Sequence, residues 1–242
     1  MICIFCPAKD LPALWAYQEL KRRGLFPLEI FTPEALVYNQ RLEHRLQNDE
    51  TLIHITTRDG RELNGGAIRG VLNRINTLPQ EHLRAAGSAD RLYAVQEQHA
   101  VFLSWLHGLT CTVINSPGPR GLCGDLRSPA EWVWLAGCAG LPAIPFRQSS
   151  TINSPALLPS RTITHQVTVL DGEIYSSPHT LKILDAFRAS IARLAGLSGL
   201  RLLGVEFRRG PDGEPIFASA TPLPDLRLGG EALLDALEGV LA

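Results

Sequence analysis

The chain has 242 residues, 45% of them hydrophobic and 19% charged, with a formal net charge of −1. That length buries a sizeable core as one large domain or two small lobes, and near-neutrality removes any general electrostatic argument for nucleic acid or an anionic membrane. No apolar stretch approaches the ~20 residues of a membrane span and no basic-then-apolar leader opens the chain, so the expected location is the cytoplasm.

The first third alternates strand and helix. "ICIFC" reads as a first strand, and "DLPALWAYQELKRRG" as a helix with Leu11, Leu14, Trp15 and Leu20 on one face. Asp10 and Pro12 start that helix and Gly24 stops it. "PLEIFTPEALV" is expected as strand and loop, "TLIHITTRDGREL" as a hairpin around Asp59-Gly60, and "AIRGVLNRI" as a strand ending in Asn73 and Arg74. This alternation argues for an α/β layer with a mostly parallel sheet.

The middle holds an amphipathic helix from about Ser88, the strand "CTVIN", and the helix "PAEWVWLAGCAG". Ser128 is the expected cap of the latter, Pro129 its first residue and Gly140 its end. Residues 147–162 are rich in Ser and Pro and read as a linker or loop between regions 1–146 and 163–242. The last region reads as an Asp171-Gly172 hairpin, one long helix "HTLKILDAFRASIARLAGL", a second hairpin, and the helix "GEALLDALEGVLA". In that second hairpin, "GVEFRRGPDGEPIFASATPLPD", Pro211-Asp212-Gly213 makes the turn. Glu206 lies on its first strand; Ser219 and Thr221 alternate with Ala218 and Ala220 on its second.

The order of these segments resembles the ATP-grasp superfamily, in particular the glutathione-synthetase-like and ribosomal-protein glutamate ligases and the related peptide-modifying ligases. The likeness rests on "ITTRDGREL", "GAIRGVLNRI", "TVINSP", "AGLPAIP", "LLGVEF" and "FASATPLPDL" in that order. It implies an α/β fold: a pre-ATP-grasp-like lobe followed by the C-terminal part of an ATP-grasp domain. Members make an acyl phosphate from a carboxylate and ATP, using magnesium held by hard oxygen ligands. By the resemblance, Glu206 matches the first acid, Ser219 a Glu and Thr221 an Asn, so two of three ligands are replaced by hydroxyls.

Where the resemblance calls for a glycine-rich lobe between "LPAIPF" and "THQVTVL", about sixteen residues stand, with neither glycine nor lysine. No P-loop or dinucleotide-type glycine loop replaces it. Arg127 stands roughly where the resemblance places a phosphate-contacting lysine, a substitution that is not neutral at a point-charge site. The expectation is a truncated, degenerate ATP-grasp-like protein without ATP-dependent ligation and without a cofactor. It binds a small metabolite, a peptide or a companion ligase. The alternative is an active carboxylate–amine ligase with an abbreviated nucleotide site, using ATP and magnesium.

Candidate ligand-binding residues gather at carboxyl ends of strands. Arg74 reads equally as a fork for a substrate carboxylate or phosphate and as a structural ion pair; Asn73 shares its strand end. Asn115 reads as a ligand or a turn residue, and Arg127 as an anion contact. His165 reads as a plain strand histidine, His99 and His107 as helix-surface residues, and Lys182 as solvated. The C-x-x-C spacing of Cys3 and Cys6, on opposite faces of a strand, argues for buried small hydrophobes over zinc. Trp132 and Trp134 read as core or interface. Leu233, Leu234 and Leu237 are expected to serve a homodimer if they are not all core.

Overall fold

A computed structural model describes residues 1–47, 50–143, 163–210 and 212–242. The expected linker at 147–162 lies outside them, as does Pro211 of the second hairpin. Two compact units emerge, one of residues 1–126 with 234–242 and one of 127–233.

In the first unit β1 (Ile2–Phe5), β2 (Leu28–Phe31), β6 (Gly70–Asn73) and β7 (Thr112–Ile114) form a parallel sheet in the order β2-β1-β6-β7. All four residues of β1 and of β6 are buried, as a parallel sheet covered on both faces requires. Helix α1 (Leu11–Arg22) is capped by Asp10, whose Oδ1 accepts the Ala13 N–H at 3.1 Å. Its inward face is Ala13, Ala16 and Leu20, while Leu11 is exposed, which corrects the expected stripe: Leu11 is the first helical residue and lies beyond the packed turns. The segment expected as a loop after β2 instead forms the short helix α2 (Pro33–Val37), because Thr32 accepts the Ala35 N–H and Pro33 fits its first position.

A second, antiparallel sheet in this unit runs β3-β4-β5 (Arg41–Gln47, Glu50–Thr56, Glu62–Asn64). The β4–β5 turn at Asp59-Gly60 is as expected, with Gly60 at φ +83°. Strand β3 gave no signal by alternation, because it is a half-exposed edge strand. Helix α3 (Ser88–Gly108) covers this region: Phe102, Trp105 and Leu106 join a core with Phe5, Phe31, Ile53 and Ile55.

The second unit is one antiparallel sheet, β11-β10-β8-β9, under two helices. Its strands are β8 (Ile163–Leu170), β9 (Glu173–Tyr175), β10 (Leu202–Arg209) and β11 (Pro215–Thr221). Strand alternation puts Val167, Val169, Leu203, Val205 and Phe207 on one face. Helices α4 (Pro129–Ala139) and α6 (Arg188–Ser198) cover them with Trp132, Leu135, Ile191 and Leu194. The helix expected as continuous over 179–197 breaks into α5 (Pro178–Ile183), a 3-10 turn over Asp185–Phe187, and α6. Ser177 caps α5, the Leu184 N–H makes its last bond to Thr180, the Phe187 N–H bonds Leu184 in the 3-10 turn, and both side chains pack inward. The final helix α7 (Gly230–Leu241) buries Leu233, Leu234 and Leu237 completely, so these leucines are core.

Candidate functional site

The other face of the second unit's sheet is polar, and register explains why. Glu206 on β10 is opposite Gln166 on β8 and Ser219 on β11; Gly204, one pleat along, is opposite Thr168 and Thr221. Cross-strand partners share a face, so Gln166, Thr168, Glu206, Ser219 and Thr221 form one polar band. A bulge follows Glu206, where Phe207 pairs with Phe217 and skips Ala218. Bulges of this kind re-aim side chains and recur beside functional sites.

Both carboxylate oxygens of Glu206 are engaged by neutral donors. Gln166 Nε2 donates to Oε1 at 2.8 Å, and the Ser219 hydroxyl donates to Oε2 in a short hydrogen bond. Thr221 Oγ1 accepts the Leu223 N–H at 3.1 Å. Thr168 is fully buried, and its Oγ1 has no hydrogen-bond partner among the described residues. A buried hydroxyl in that state costs free energy unless something supplies a partner.

Two adjoining cavities open on this band. One, of about 210 Å³, is lined by Gln166, Thr168, Glu206, Thr221 and Asp225 among others. The second, of about 290 Å³, shares Gln166 and adds His165, Ser176, Ser177 and Thr180. Burial, and then the neighbouring His179, lowers the His165 imidazole below its usual pKa, favouring the neutral ring. The Asp225 carboxylate is held by Arg227, which donates from Nε at 2.8 Å and from Nη2 at 2.6 Å.

The residues singled out from sequence fall in two places. Asn73, Arg74 and Asn115 lie together in the first unit, at adjoining strand ends. The Arg74 guanidinium forks onto Asp10, with Nε–Oδ2 at 2.7 Å and Nη2–Oδ1 at 3.1 Å, both side chains nearly buried. Asn73 Nδ2 donates to the carbonyls of Asn115 at 2.9 Å and Leu122 at 2.6 Å, and its Oδ1 accepts the Ile75 N–H. Asn115 adopts φ +57°, a left-handed conformation that Asn tolerates better than most residues.

In the second unit, Arg127 donates to the Ser198 carbonyl at 2.9 Å and lies 5.7 Å from the Trp132 ring centroid, among the helices. Glu206 lies in the polar band, hydrogen-bonded across the sheet. Sequence reasoning passed over Gln166 and Thr168, whose place depends on a β8–β10 register that no local signal fixes. Cys3 and Cys6 are free and fully buried, and burial pushes each thiol up to about 12. Among the described residues no helix is long and apolar enough to cross a membrane, and no three His, Cys, Asp or Glu side chains converge as a metal site.

No protein-family model and no curated protein matches the sequence. Solved structures match the fold along its length. Macrocyclase MdnB from Microcystis aeruginosa MRC superposes with a TM-score of 0.68 at 12% identity, over 99% of this chain and 98% of that one. The ATP-grasp ligase PsnB, solved with a phosphomimetic variant of its minimal precursor, Mg and ADP, gives 0.68 at 17% identity, over 100% and 97%. D-alanine–D-alanine ligase from Aeromonas hydrophila gives 0.51 at 15% identity, over 99% and 98%. Together with the two-unit α/β architecture, these likenesses establish that the chain has the fold of the ATP-grasp ligases.

Proposed function

We propose that this ATP-grasp-fold chain binds a peptide on the polar face of its antiparallel sheet and does not itself carry out ATP-dependent ligation. The observation that carries the reading is the state of Glu206. Its two oxygens are held by an amide and a hydroxyl, and its neighbours on the opposite strand are Ser219 and Thr221. Magnesium demands hard oxygen ligands in near-octahedral array, with carboxylates to offset its charge. Each Glu206 oxygen already accepts from a neutral donor beside two hydroxyls, and Asp225 in the same cavity is paired with Arg227, so the band is a poor match for that ion. A divalent cation is what ordinarily offsets the charge that builds up in phosphoryl transfer. The short interval at 147–162, without glycine or lysine, supports the same reading.

Peptide binding is supported by the fold, since PsnB is described with a precursor bound. It is also supported by the band itself, where the unpartnered Thr168 hydroxyl lines a cavity sized for a side chain. In this reading Asn73, Arg74 and Asn115 hold strand ends in place and Arg127 ties two helices.

Isothermal titration with ATP and magnesium tests the negative half: no saturable heat is expected, and micromolar binding overturns it. Glu206→Gln keeps the hydrogen bond from Ser219 and is expected to leave any magnesium affinity unchanged, whereas a substantial loss marks a working metal site. Fluorescence anisotropy with labelled peptides drawn from a random-sequence display selection on the full chain tests the positive half. Binding that weakens in Thr168→Val supports it, and a selection that yields no binding peptide refutes it.

A further inference from the structure

Gly204 stands on the polar face of the second unit's sheet between Thr168 and Thr221, its partners on the two neighbouring strands. Having no side chain, it leaves a gap between two hydroxyls, and the cavity of about 210 Å³ lies there. Pockets for whole organic ligands run to roughly 300–1,000 Å³, so this one suits a single small group. None of the residues lining it is Lys, Arg or His. The Asp225 carboxylate is offset by Arg227. Glu206 has no ion-pair partner among the described residues, and both neighbours that donate to it are uncharged. The cavity therefore carries one uncompensated negative charge.

We propose that this cavity takes a single primary ammonium group. A lysine side chain of the bound peptide carries it, a source that rests on the peptide reading above. One positive charge offsets Glu206, where a doubly charged ion would leave an excess. Hydrogen bonding agrees with the charge, since an ammonium has three donors and no acceptor. The wholly buried Thr168 hydroxyl has no partner of its own. Gln166 donates to Glu206 from Nε2 and so keeps its Oε1 as an acceptor. A guanidinium fork needs both oxygens of a carboxylate together, and here each oxygen already accepts from a neighbour. An ammonium needs only one remaining lone pair. Leu223, Pro224 and Leu228, which also line the cavity, give apolar surface to a methylene stem.

The test uses the full chain, with circular dichroism confirming that each variant is folded. NMR titration with n-butylammonium, and with n-butanol as a neutral counterpart, reads the group alone. Saturable millimolar binding of the ammonium is expected, with the alcohol weaker by about tenfold or more. Glu206→Gln removes the charge and keeps the polar shape, and is expected to weaken butylammonium by about tenfold or more. Thr168→Val, which removes the buried hydroxyl, is a second reporter should Glu206→Gln misfold. Among display-selected peptides that bind, replacing each lysine in turn by norleucine reads the source. One such replacement is expected to weaken binding by about tenfold or more, and to have little further effect in Glu206→Gln.

Ammonium binding that survives Glu206→Gln, or that the alcohol equals, overturns the proposal. So does the absence of butylammonium binding together with no peptide whose affinity depends on lysine. If peptides bind all the same, the peptide reading stands and only the ammonium site falls. Butylammonium binding that depends on Glu206, in a chain that selects no peptide, supports the ammonium site with a free amine as its source and refutes the peptide reading instead.

Discussion

At the scale of the residue, a side chain's role is set by the partner that folding brings to it. Asp10 reads in sequence as the start of a helix, and it does cap α1. The same carboxylate also receives the Arg74 fork, from a residue distant in sequence. Removing one partner of a buried pair leaves the other in low dielectric, at a cost of about 3–5 kcal/mol, and losing a cap adds about 1 kcal/mol. Asp10→Ala is therefore expected to lower unfolding free energy by at least ~3 kcal/mol, measured by urea denaturation. A loss near the value of a cap alone would mean that Arg74 is well solvated without Asp10. The strand-end position of Asn73 and Arg74 was legible from the sequence; Asp10 as their neighbour was not.

At the scale of the element, local chemistry was legible wherever it is strong. Helix α4 starts and stops where Ser128, Pro129 and Gly140 place its ends. Ser128 Oγ accepts the Glu131 N–H, and Glu131 reaches back to the Ser128 N–H at 2.8 Å, a complete capping box. Gly140 closes the helix at φ +85°. Ser128→Ala is expected to cost about 1 kcal/mol, seen as a lower denaturation midpoint with an unchanged slope. Signals failed where local preference is weak or tertiary burial competes. Strand β3 has one exposed edge and no clean alternation, so it escaped notice. The stretch read as one long helix breaks at a 3-10 turn over Asp185–Phe187, where the Phe187 N–H bonds the Leu184 carbonyl and both side chains pack inward.

At the scale of the whole molecule, residues far apart in sequence constrain one another through the backbone. A Cβ at Gly70, in the middle of the parallel sheet, would stand 2.4 Å from the Leu241 carbonyl oxygen near the end of the chain. Gly70→Ala is expected to destabilise by about 1–3 kcal/mol through overpacking. Gly137→Ala, inside α4 with nothing within 4 Å of a new Cβ, is expected to stabilise by about 0.5–1 kcal/mol. Thermal unfolding of the pair checks the opposite signs, and equal effects would mean that the Leu241 backbone yields freely.

The order of strands and helices and the capping and turn residues are properties of the sequence by itself. They depend on residue identity and short spacing, and they were enough to point to the ATP-grasp fold. Only the tertiary structure decided that Glu206 is held by Gln166 and Ser219, that Arg74 is paired with Asp10, and that Leu233, Leu234 and Leu237 are core. The reason is that long-range partners are set by packing, and no local stretch contains that information. Strand register, fixed by burying the apolar face of the whole sheet, places Gln166 and Ser219 beside Glu206. Asp10 and the last helix are brought to their partners from distant parts of the chain.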